Sequence, residues 1–110
     1  MAGLKGKVIL ITGASSGIGE ATALHMATLG CRLSLIARNL RSLKEVSQQC
    51  QKMGSPDVYF ASHDLSEKNE CIAAINETIN HFGGNEIIIK LAQMLFLVEI
   101  YKIVSNSRKI

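Results

Sequence analysis

The sequence predicts an α/β protein, a parallel sheet with helices on both faces, and three observations carry that expectation. An apolar, β-branched run from Val8 to Ile11 leads straight into a glycine-rich turn and then a helical pattern. Short apolar runs alternate with longer segments of helical periodicity along the chain, which argues for parallel strands joined by right-handed crossovers. Glycine and proline fall between these segments, where helices must stop.

Taken in order, Val8–Ile11 reads as a strand buried on both faces. The segment from Gly17 reads as a helix carrying Ala21, Leu24, Met26, Ala27 and Leu29, closed by Gly30. Arg32–Ala37 reads as the second strand. Leu40, Leu43, Val46 and Cys50 recur at near-helical spacing, and Gly54-Ser55-Pro56 ends that helix. Asp57–Ser62 is the third strand. Ile72, Ile75, Ile79 and Phe82 mark one face of a third helix, which Gly83-Gly84 stops, and Glu86–Ile89 is the fourth strand. The expected strand order is 3-2-1-4, one mononucleotide-binding half of a doubly wound fold and the start of the other.

At 110 residues the chain has room for one small domain, and an apolar fraction of 47% suffices for a core. A formal net charge of +3, with Lys102, Arg108 and Lys109 near the end, is too mild and scattered for a nucleic-acid surface. Cys31, Cys50 and Cys71 are odd in number and lack Cys-x-x-Cys spacing, so they are expected as reduced, mostly buried thiols of a cytoplasmic protein. His25, His63 and His81 have no ligand-like spacing, and no metal is expected. No targeting segment stands out. Residues 91–104 are mostly apolar, but Glu99 and Lys102 break the run, which is too short to span a membrane. The sequon Asn76-Glu77-Thr78 falls in the third helix and is discounted.

The glycine turn carries the chemistry. Gly13, Gly17 and Gly19 let the backbone turn tightly and approach a ligand, and the first amides of the helix that follows lack partners and sit at its positive end. Glu20 follows Gly19 where a triphosphatase loop needs Lys, which excludes that class. Thr12-Gly13-x-x-x-Gly17-x-Gly19 resembles the fingerprint of the short-chain dehydrogenases/reductases, in the form found in single-domain carbonyl and alcohol oxidoreductases. The resemblance runs from about Leu4 to Ala92, strongest through Asp64 and weaker after Gly84. It implies a Rossmann-like fold and hydride transfer between a nicotinamide dinucleotide and a carbonyl or alcohol.

The end of the second strand meets the adenosine ribose in such folds, and a carboxylate there holds the 2′-hydroxyl of NAD. This chain has Ala37 followed by Arg38, whose guanidinium suits the 2′-phosphate of NADP; the plainer alternative is an Arg solvating a loop. Asp64-Leu65 resembles the family's Asp-Leu/Val pair beside the adenine. Asp64 is then expected to accept from the exocyclic amine and Leu65 to pack on the ring, while Asp64 also suits a helix N-cap. Ser15 and Ser16 are expected to donate to phosphate oxygens and Ile18 to offer a backbone amide. The expected cofactor site is thus Gly13, Ser15, Ser16, Gly17, Ile18, Gly19, Arg38, Asp64 and Leu65, for NADP(H).

The catalytic half of the pattern is missing. The family continues from the fourth strand into Asn-Asn-Ala-Gly, then a Ser, then Tyr-x-x-x-Lys. Aligning Phe82-Gly83-Gly84 places Lys90-Leu91-Ala92-Gln93 at the first of these, where only Ala92 matches and Gln93 stands for a glycine. Tyr101 is followed four residues later by Ser105, not Lys. No catalytic residue is assigned. The expectation is an NADP(H)-binding half over 1–90 with an atypical apolar tail over 91–110, truncated before the active site and inactive alone. The alternatives are a non-catalytic nucleotide- or partner-binding module and a non-functional fragment. Without the later helices a family-like tetramer is not expected, and the fourth strand is left as an exposed edge unless the tail covers it.

Overall fold

In a computed structural model, residues 2–83, 87–91 and 103–104 are described. A short 3-10 turn at Ala2–Leu4 precedes β1 (Val8–Thr12), α1 (Gly17–Thr28), β2 (Arg32–Ala37), α2 (Leu40–Met53), β3 (Val58–Ser62), α3 (Lys68–Phe82), β4 (Ile87–Leu91) and β5 (Ile103–Val104). The strands hydrogen-bond in the order β3-β2-β1-β4-β5. β1 is parallel to both β2 and β4, and β2 is parallel to β3. The fold is the Rossmann-like α/β class that the alternating pattern implies.

Helices on both sheet faces explain why β1 is buried at every position and apolar from Val8 to Ile11. Ile9, Ile11, Leu33 and Leu35 face α1 and α2, meeting Ala23, Met26 and Ala27 from the first helix and Leu43, Val46 and Cys50 from the second. The alternate residues Val8, Leu10 and Ile36 face α3, against Ala74, Ile79 and Phe82. With a period of two, one strand feeds two cores. β3 lies outside β2 and is only partly buried or exposed along its length, as suits a strand with one paired edge.

Three features depart from the sequence expectations, and one that was left open is resolved. In α1 the buried residues are Gly19, Ala23, Met26 and Ala27, and Ala21 is exposed. Leu40 is 54% exposed at the first position of α2, where the helix has not yet reached the sheet. α3 buries Ala74 and Thr78 beside Ile79 and Phe82, whereas Ile72 and Ile75 are half-buried. The edge of β4, left open by the sequence, is partly covered by the tail: β5 pairs with it antiparallel, Ile87 opposite Val104 and Ile88 opposite Ile103. Gly84, Glu86, Ala92, Gln93, Tyr101, Lys102 and Ser105 lie outside the described residues.

Thr78 is the least predictable of these because its partner is 44 residues away. Its hydroxyl donates to Ala74 O at 2.8 Å, so the Ser34 hydroxyl, 2.7 Å away, is the donor between the two side chains. Both residues are fully buried, and this pair ties α3 to β2 through the core. Thr78→Val removes the acceptor and leaves the Ser34 proton buried without one, which costs about 1–3 kcal/mol. Urea unfolding should show that loss, and adding Ser34→Ala should recover part of it; additive losses would remove the coupling.

Cys31 and Cys50 are buried and Cys71 is half-buried, all three as free thiols. Burial first, and then the charge of Glu20, push the Cys50 thiol up to about 11. Tyr59 is pushed to about 12 by burial and by its hydrogen bond to Glu77. Both groups favour the protonated form when folded. Their contribution is complete below the ordinary thiol and phenol pKa values and is lost as pH rises toward 11–12. The unfolding midpoint should therefore fall between pH 9 and 11 relative to a Cys50→Ala, Tyr59→Phe chain.

Candidate functional site

The carboxyl ends of β1, β2 and β3 come level, and every sequence-predicted site residue follows one of them. Thr12 pairs with Ile36, and Ala37 with Ser62. Beyond the strands the loops are stitched together: Ala14 N donates to Ile36 O at 3.3 Å, His63 N to Ala37 O at 3.0 Å, and the Ser62 hydroxyl to Arg38 O at 2.7 Å. Gly13–Gly19, Arg38 and Asp64-Leu65 therefore share one end of the sheet, where open α/β folds bind ligands.

The three glycines do different work. Gly13 and Gly17 have φ of 63° and 56°, in the left-handed region that costs an L side chain about 1–2 kcal/mol. A Cβ at Gly17 meets nothing within 4 Å, so the space beside it stays open. Gly19 is different: a Cβ there overlaps the Gly13 carbonyl, backbone against backbone. Its bare Cα lets α1 seat directly on the turn, with Gly19 itself buried. The sequence reading gave all three glycines to the approach of a ligand; Gly19 serves the packing of helix on turn.

Ser16 is the N-cap residue of α1, extended at φ −162°, and its side chain makes no cap hydrogen bond. Glu20 N is the first α1 amide to reach an acceptor four residues back, Ser16 O at 3.2 Å. The amides of Gly17, Ile18 and Gly19 thus have no acceptor within the helix. The Ser16 and Ile18 side chains are exposed, and Ser15 is half-buried beside them. Unpartnered amides, a free hydroxyl and the positive end of a twelve-residue helix form a surface suited to phosphate oxygens.

Arg38 is exposed just past β2, with its charge acting on Asp64. Asp64 does not cap α3: the N-cap residue is Glu67, and Asp64 stands three residues earlier. Asp64 Oδ1 instead accepts from Ser66 N at 3.1 Å and from the Ser66 hydroxyl at 2.7 Å, closing a small turn on itself. These bonds, helped by the Arg38 guanidinium, hold its carboxyl below the usual range. Leu65 is half-buried and packs against the α3-side core.

The sequence reading did not find the polar cluster behind Asp64. His63 Nδ1 lies 3.3 Å from Glu70 Oε1, and its Nε2 lies 2.9 Å from Glu77 Oε1. Tyr59 donates to the same Glu77 oxygen at 2.8 Å. Burial pushes the Glu77 carboxyl up, but the hydrogen bonds from His63 and Tyr59 and the His63 charge outweigh it, leaving the carboxyl lowered. A spacing of seven between Glu70 and Glu77, two helical turns, was the available signal; the strand-end histidine they face was not visible from spacing alone. Among the described residues no group of His, Cys, Asp and Glu could hold a metal ion.

The match to known proteins follows the same elements. The family model for short chain dehydrogenase covers residues 7–105, and the chain belongs to that oxidoreductase family. It is 42% identical over 90 residues to 11-beta-hydroxysteroid dehydrogenase A of Sesamum indicum, covering 82% of this chain and 26% of that protein. It is 40% identical over 107 residues to 11-beta-hydroxysteroid dehydrogenase A of Arachis hypogaea, covering 96% and 31%. The chain therefore spans about a quarter to a third of the length of these relatives.

Among solved structures it is similar to L-sorbose reductase from Gluconobacter frateurii, complexed with NADPH and L-sorbose, at 35% identity and TM-score 0.66 over 74% of this chain and 31% of that one. It is also similar to an NADH-dependent reductase, A1-R′, complexed with NAD, at 30% identity and TM-score 0.71 over 80% and 37%. Among the described residues no helix is long and apolar enough to cross a membrane.

Proposed function

We propose that residues 1–90 form the NADP(H)-binding half of a short-chain reductase and that 91–110 is an atypical tail. The observation that carries this is the shared strand end, where the unpartnered amides of α1 and the Arg38 guanidinium lie on one side of the sheet. The residues present fit the group. Gly13, Gly17, Ile18 and Gly19 supply backbone, Ser15 and Ser16 supply hydroxyls for the pyrophosphate, Arg38 supplies charge for the 2′-phosphate, and Asp64 and Leu65 hold the adenine. NADP(H) supplies the hydride of the family's reaction, exchanged with a carbonyl or alcohol. This chain's residues bind and orient the adenosine and pyrophosphate portions.

Within these 110 residues the family's Ser and Tyr-x-x-x-Lys are not matched, and Lys90-Leu91-Ala92-Gln93 stands where Asn-Asn-Ala-Gly is expected. The chain by itself should bind cofactor without turning over a carbonyl. Thermal unfolding of the purified chain tests the binding: NADP at a hundred times its Kd should stabilise by about 2.7 kcal/mol and raise the midpoint, and more than NAD does. No rise at millimolar NADP contradicts the proposal. The loss of the Asn-Asn-Ala-Gly pattern favours one second reading, a nucleotide-dependent partner-binding module. In that case deletion of 91–110 abolishes partner capture and spares NADP binding.

A further inference from the structure

We infer that Glu70 is a positioning residue for the adenine end of the cofactor, fixing Asp64 so that one carboxylate oxygen is aimed at the ligand; this rests on the NADP(H) reading above. Three groups of Asp64 are already tied down. Its N–H donates to Glu70 Oε1 at 2.8 Å, its carbonyl accepts from Glu67 N at 3.1 Å, and its Oδ1 accepts twice from Ser66. Oδ2 is left for the exocyclic amine.

Glu70 is the third residue of α3, the position from which a glutamate ordinarily reaches back to the amide of the N-cap residue. Here it passes Glu67 and bonds three residues further back, in the loop rather than in the helix. Its reach is braced from the other side. The same Oε1 lies 3.3 Å from His63 Nδ1, while His63 Nε2 faces Glu77 and His63 N is held by Ala37 O. Both ring nitrogens of His63 thus face carboxylate oxygens of α3. Strand end, loop and α3 are thereby joined around the one amide that sets where the Asp64 side chain starts. Preorganisation of this kind lowers the ordering cost of binding.

The test is calorimetric titration of the full 110-residue chain with NADP and with its analogue carrying hypoxanthine for adenine. That replacement turns the exocyclic donor into an acceptor facing Asp64. The wild-type chain should bind the analogue about tenfold more weakly, the worth of one charge-assisted hydrogen bond. E70A should weaken NADP binding and shrink the ratio to about twofold, while E70Q, whose amide oxygen still accepts from Asp64 N, should retain most of it. E70D, which withdraws the carboxylate by one methylene, carries the same measurement if E70A does not fold. A purely structural role lowers the unfolding midpoint and leaves the ratio unchanged. An undiminished ratio in folded E70A or E70D overturns the inference alone, as does a wild-type chain that binds both nucleotides equally. A wild-type chain that binds no NADP overturns the cofactor reading and this inference together.

Discussion

Gly19→Ala is expected to destabilise the chain by about 3 kcal/mol or more, the upper end for inserting one methyl group into a packed interior. The added carbon runs into the Gly13 carbonyl, and neither partner is the end of a flexible side chain. Relief requires α1 to move off the turn, which also pulls Ala23, Met26 and Ala27 away from Ile9 and Ile11. A domain of this size has about 5–15 kcal/mol in total, so the loss is a large share. At about 4 °C or more per kcal/mol, the unfolding midpoint should fall by roughly 12 °C or more.

Gly17→Ala is the internal contrast. Its Cβ meets open space, and the left-handed backbone alone costs about 1–2 kcal/mol. Under the proposed function, that methyl group stands where the pyrophosphate approaches. Gly17→Ala should then lose more cofactor affinity than stability, and Gly19→Ala the reverse. Equal midpoint losses for the two variants contradict the division of labour between the glycines.

Arg38→Asp is expected to weaken NADP binding by roughly ten- to hundredfold, the equivalent of losing a charge-assisted hydrogen bond of about 1.5–3 kcal/mol. NAD, which has no 2′-phosphate, should bind as well or better, because a carboxylate there can take the ribose hydroxyls. The substitution also replaces the cation acting on Asp64 with an anion, so the Asp64 carboxyl should rise from its lowered position. Side-chain carbon chemical shifts through an acid titration check that rise, and paired NADP and NAD titrations check the selectivity. Equal weakening of both cofactors removes Arg38 from the specificity argument.

Much of this architecture was legible because one physical rule repeats. Runs buried on both faces need not alternate, and Val8–Ile11, apolar throughout, and the largely apolar Leu33–Ala37 stand out for that reason. α2 was readable because one face meets the sheet while the rest is solvated, and Leu43, Val46 and Cys50 recur at the right spacing. α3 was legible only at Ile79 and Phe82, because the rest of its buried face is small or polar. Ala74 allows close approach and Thr78 is satisfied by Ser34, a pairing that local periodicity does not encode. Leu40 misled in the opposite sense, an apolar residue at helical spacing placed before the sheet begins.

The candidate site divides along the same line. Its backbone component was visible because glycine spacing reports conformation directly, and Arg38 because it follows the second strand at once. The supporting contacts were not visible. Asp64 suggests a cap by residue type, yet the helix starts at Lys68, and the turn closed by Ser66 decides its role. The Glu70 and Glu77 contacts to His63 arise only when α3 folds back across β3. Gly19 stands against the Gly13 backbone, and a close approach between two backbones looks in sequence like a close approach to a ligand.

Mapping NADP onto the chain by amide chemical shifts in a titration tests the central claim most directly. Saturable changes should concentrate at Gly13, Ser15–Gly19, Arg38, Asp64 and Leu65, all beyond the carboxyl ends of β1–β3, with larger changes at Arg38 for NADP than for NAD. Changes confined to other surfaces, or none at millimolar NADP, would contradict it.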